Sequence, residues 1–145
     1  MRSSLALLSV VFASALTGCW EMSEISYKNV EEARKAGAIG ESKWLPEWLP
    51  EGAHDIREAH DVDTNQSWLS FRLGTPLSLP SSCSRVESLE LMNSKEVSRF
   101  PGFVQDLHAR VKQLKGEFYE CAEGGSTRWV AIDGSARRVY SGVKF

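Results

Sequence analysis

Cysteine is scarce in this chain of 145 residues: there are three, none in a CxxC spacing and none beside a histidine. That pattern excludes a compact zinc ribbon and a thioredoxin-like redox motif. No apolar run reaches the roughly 20 residues that a membrane-spanning helix needs. A basic excess is also missing, since 17 Lys and Arg stand against 19 Asp and Glu for a formal charge of −2. Nucleic-acid binding normally shows a basic face and is not expected. No glycine-rich phosphate cradle and no G-x-S-x-G elbow occurs; Asp133-Gly134-Ser135-Ala136 reads as a hairpin turn.

What is present begins at the N-terminus. Arg2 supplies a positive charge, and Leu5 to Leu16 is apolar or small apart from Ser9 and Ser14. This has the form of an export signal, too short to span a bilayer. The run ends in Leu16-Thr17-Gly18-Cys19, which resembles the bacterial lipobox. The resemblance implies a diacylglyceryl thioether on Cys19, cleavage before it and acylation of the new amine. An ordinary secretory signal with a chance cysteine is the rival reading. Several acyl chains give stable attachment where one does not. Residues 1–18 are therefore expected to be a signal peptide, 19–27 a lipidated tether and 28–145 one domain. Trp20 stands where an aspartate would resemble an inner-membrane retention signal, so the expected location is the outer membrane, facing the periplasm.

With Cys19 lipidated, Cys83 and Cys121 remain as an even pair in an oxidising compartment, which predicts a disulfide. Five tryptophans (Trp20, Trp44, Trp48, Trp68 and Trp129) are many for this length. Trp serves both cores and binding hot spots.

Asn29 is placed to cap a helix over Val30 to Ala36, acidic first and basic later, with Gly37 as its stop. The tandem Trp44-Leu45-Pro46-Glu47 and Trp48-Leu49-Pro50-Glu51 predicts a short helical turn placing Trp44 and Trp48 on one face. Two uses compete for these tryptophans: anchors for a protein partner, or a cover closing the core with at least one indole largely buried. Ile56 to His60 and Trp68 to Leu73 form a hairpin around an Asp61-to-Gln66 turn, with Leu69, Phe71 and Leu73 on one face. Residues 86–92 fit strand or helix. Phe103, Leu107, Val111 and Leu114 have helical spacing. Glu117 to Cys121, Thr127 to Ile132 and Arg137 to Val143 read as strands joined at Gly124-Gly125 and Asp133-Gly134. The expected class is α+β: an antiparallel sheet of about five strands with two helices packed against it.

The stretch Trp44 to Ala53, followed by Ile56, His60, Asp63, Asn65 and the aromatic-rich Trp68 to Leu73, resembles the YbbD head domain family of small exported bacterial proteins. Gly52 departs from the pattern, where a serine or similar residue is expected. The family name implies association with polymorphic-toxin loci and hence an immunity-type role; the resemblance supplies no catalytic residue.

Asp61, Asp63 and Asn65 imitate the opening of a calcium loop, but Gln66 and Arg72 occupy the positions that need Gly and a bidentate Glu. A structural turn is expected instead. His54 and His60 would lie about 20 Å apart on a straight strand and cannot share an ion. His60 is expected to hydrogen-bond a neighbouring carboxylate or carbonyl, and His108 to lie within the helix at a boundary position given by its spacing from Leu107 and Val111. No metal, cofactor or catalytic residue is expected. The favoured function is a lipid-anchored, non-enzymatic periplasmic domain that binds another protein, in an immunity or inhibitor role. An envelope-structural lipoprotein is the first alternative, and a hydrolase assembled from distant residues the second.

Overall fold

The computed structural model describes residues 22–144. Its elements are β1 (Met22–Asn29), α1 (Val30–Lys35), β2 (Ala53–Asp61), β3 (Gln66–Leu73), β4 (Cys83–Val86), α2 (Ser94–Val97), α3 (Gly102–Gln113), β5 (Glu117–Glu123), β6 (Ser126–Asp133) and β7 (Arg138–Lys144). The strands form one antiparallel sheet in the order β1-β2-β3-β7-β6-β5-β4. The class is α+β as expected, but with seven strands rather than five and three helices rather than two among the described residues.

The extra strands are the two edges. Met22 to Tyr27, expected in a tether, belong to β1, where Tyr27 alone is buried. A strand whose residues mostly face water carries little hydrophobic alternation, and its pairing comes from β2. The other edge, β4, is four residues long, with Cys83 opposite Cys121. The predicted disulfide is present there, its α carbons 3.8 Å apart. Val86 closes β4, and 87–93 have no regular structure. Short α2 carries a capping box, in which Asn93 and Glu96 satisfy each other's backbone N–H groups.

Alternation along the strands divides the core between the two faces of the sheet. On the first face Ile56, Leu69, Phe71, Val130 and Val139 pack against Val30 and Ala33 of α1 and against Leu45 and Leu49. Asn29 caps α1 as expected by accepting the N–H of Glu32 at 3.0 Å. On the second face Ala59, Trp68, Trp129, Ala131 and Tyr140 pack against Phe103, Val104, Leu107 and Val111 of α3. Gly142 is in register with both Trp68 and Trp129. A Cβ there would come within 2.6 Å of the Trp129 ring, so the indole occupies the space that a side chain on β7 would need.

The tandem tetrapeptide does not form a helical turn. It makes a tight turn in which the Leu49 N–H donates to the Pro46 carbonyl at 3.2 Å, and Leu45 forms a parallel bridge with Ile39. The residues buried here are Leu45, Pro46 and Leu49; Trp44 and Trp48 are half-buried. The leucines enter the core, and Trp48 packs against it partly buried.

Candidate functional site

The first face carries a row of buried polar groups. On this face of β2, β3, β7 and β6 lie Glu58 and His60, Ser67, Ser141 and Arg128, all at most 6% exposed, with His60 directly opposite Ser67. His60 Nδ1 is hydrogen-bonded to Glu58 Oε1, the carboxylate role expected for this histidine. Burial pushes the Glu58 carboxyl up from its ordinary range, opposed by the His60 hydrogen bond and the nearby Arg128 charge. Arg128 Nε donates to Glu123 Oε2 at 2.8 Å and its Nη1 to Ser141 Oγ at 3.4 Å. Trp48 Nε1 donates to the other Glu123 oxygen at 3.2 Å. Trp44 stacks on His60. Both candidate partner-binding tryptophans thus have partners inside the molecule, and the acid–base pair lies beneath one of them.

The calcium-like segment is a turn. Asp61 Oδ1 accepts the N–H groups of Asp63 at 2.9 Å and Thr64 at 3.4 Å, and Asn65 has φ of +56°. Among the described residues no three His, Cys, Asp or Glu side chains are grouped to hold a metal. His54 binds the Gly52 carbonyl at 3.2 Å. His108 departs from expectation: it is fully buried against Trp129, and neither ring nitrogen has a hydrogen-bond partner. Burial, with the Lys112 charge, lowers its pKa to about 4. Its place beside Leu107 suggested a boundary, but α3 buries this side, with the ring against Trp129 of β6.

An opening lies on the second face, at the end of the sheet where β1 runs into α1. It is a cleft of about 860 Å³ between the sheet and α3. Four arginines reach it from four elements: Arg57 on β2, Arg72 on β3, Arg138 on β7 and Arg110 on α3. Arg57 lies over the Phe103 ring at 4.5 Å and pairs with Glu24. Arg138 Nη1 donates to Ser70 Oγ at 2.9 Å. These arginines were not singled out in the sequence, where they are scattered polar positions; strand register is what gathers them.

Residues 21–72 match the YbbD head domain model. The YbbD-head-like segment thus extends N-terminally beyond the Trp44-to-Leu73 stretch that carries the sequence resemblance. It takes in β1, α1, the tandem turn, β2 and nearly all of β3. It stops short of half the chain, and the remaining strands complete the same sheet. No curated protein and no solved structure matches the chain. Cys19 and the expected signal peptide lie outside the described residues, and no helix among those described is long and apolar enough to cross a membrane.

Proposed function

We propose that this chain is a lipid-anchored periplasmic domain that binds another protein without catalysing a reaction, in an immunity or inhibitor role. The observation that supports it is the arginine-lined cleft, which offers charge to a partner beyond what the fold itself uses. The likeness of residues 21–72 to the YbbD head domain agrees with an exported module. Anchoring would come from lipid on Cys19, in the outer membrane and facing the periplasm. Met22 opens β1 opposite Asp61, and the cleft lies against Ser26 to Lys28, about 13–20 Å along the strand and away from the end that an anchor at Cys19 would tether.

The test is recovery of the full chain from detergent-solubilised envelopes. One protein at stoichiometric ratio, together with a triacylated Cys19 in the mass spectrum, is the expected result. An unmodified Cys19 thiol in mature protein would remove the anchor. An abundant chain with no stoichiometric partner, whose deletion alters envelope permeability, would instead favour the structural alternative.

A further inference from the structure

We propose that the cleft is a docking groove for an extended, acidic segment of a protein partner. This rests on the protein-binding reading above and names the surface and the chemistry it recognises.

The register carries the argument. Arg72 and Arg138 are direct cross-strand partners on β3 and β7, and Arg57 lies on the same face of β2 opposite Ser70. Like charges placed directly opposite one another destabilise a sheet. The fold compensates them only in part. Arg57 has Glu24. Arg72 approaches Asp55 at 3.7 Å, with both side chains more than half exposed. Arg138 has only the Ser70 hydroxyl, and neither Arg138 nor Arg110 has a carboxylate within 4.0 Å among the described residues.

Four carboxylates also line the cleft, and two of them are engaged within the chain. Glu32 accepts the Lys28 N–H at 2.6 Å, while Asp133 accepts the Ser135 hydroxyl at 2.7 Å and the Ala136 N–H at 3.1 Å. Asp55 is shared with Arg72, and Asp106 is exposed on α3. The guanidinium groups of Arg138 and Arg110 are therefore open to an incoming anion.

Spacing selects the ligand class. Neighbouring strands are about 4.8 Å apart, so Arg138, Arg72 and Arg57 span three strands and about 10 Å. One phosphate or carboxylate cannot reach all three, whereas successive acidic side chains of an extended peptide can. Guanidinium pairs with carboxylate in a bidentate fork, which suits it to this recognition. The cleft is also large enough for several residues of peptide.

The experiment measures binding of a fluorescein-labelled hexaglutamate peptide to the full, detergent-solubilised chain by anisotropy at low salt. Hexalysine and inorganic phosphate serve as competitors. We expect hexaglutamate to bind, to weaken as salt rises, and to lose about tenfold or more in the Arg72→Gln/Arg138→Gln chain. Arg110→Gln, on the exposed side of α3, should weaken it without altering the fold. Arg99→Gln, outside the cleft, should leave it unchanged. Absent binding, or binding that the cleft variants leave intact, overturns the proposal. Displacement by phosphate as effective as by unlabelled hexaglutamate overturns the peptide assignment in favour of a small anion. If the envelope partner is still recovered with the Arg72→Gln/Arg138→Gln chain, the cleft assignment fails while the protein-binding reading stands.

Discussion

The indole of Trp44 lies flat on the imidazole of His60, with ring centroids 4.0 Å apart and planes 5° from parallel. His60 is in turn fixed by Glu58, so the tandem turn is clamped to β2 through a ring stack as well as through its leucines. This relationship ranks the residues of the turn. Leu45 is fully buried, and Leu45→Ala should cost about 2–5 kcal/mol. Trp44→Ala should cost less, about 1–2 kcal/mol, because the residue is only partly buried and the stack contributes about 1 kcal/mol. Urea unfolding of the two variants checks the order; a larger loss for Trp44→Ala would mean that the stack outweighs the leucine core.

The Cys83–Cys121 bond ties the four-residue edge strand β4 to β5 across 38 residues of sequence. On the chain-entropy account, removing it should cost about 3–4 kcal/mol. Thermal melts with and without reductant should show a clear drop in midpoint, matched by the Cys83→Ser/Cys121→Ser double variant. Equal midpoints would show that β4 contributes nothing to cooperative unfolding.

His108 makes stability depend on pH. Its folded pKa of about 4 lies below the ordinary 6.5, so the unfolded chain binds the proton more tightly. Its contribution is complete above pH 6.5 and is lost as pH falls toward 4, by about 3 kcal/mol. Glu58 acts in the opposite sense: burial raises its pKa, so its contribution is present at low pH and lost as pH rises through the folded value. Comparing wild type with His108→Leu isolates the histidine. The variant should be at least as stable at pH 7, since two unpartnered buried nitrogens disappear, and should lose less stability between pH 6.5 and 4.

Gly142 leaves room for an indole. A Cβ at this position would meet Trp129 at 2.6 Å, so Gly142→Ala should destabilise by about 1–3 kcal/mol. Near-ultraviolet circular dichroism should report the displaced tryptophan even where the chain still folds.

Much of the fold was legible locally. The cap at Asn29, the apolar spacing of α3, the alternation in β3 and the hairpin turns are short-range signals, and each produced its element. The Asp133-Gly134 hairpin was placed correctly although its loop runs on to Arg137, which carries the positive φ of +49°. The edge strands were not legible. β1 is mostly solvent-facing and β4 is very short, and such strands are defined by the neighbour that supplies their hydrogen bonds.

The sequence by itself determined the class of fold, the pairing of the two remaining cysteines and the role of His60 as a partner for a nearby carboxylate. Each depends on residues close in sequence, on patterning or on counting. Only the tertiary structure decided that Leu45 and Leu49, rather than Trp44 and Trp48, enter the core, that His108 is sealed without a partner, and that Arg57, Arg72, Arg110 and Arg138 meet in one cleft. Those outcomes follow from strand order and register, which bring residues more than 60 positions apart to neighbouring strands, and no local pattern encodes that distance.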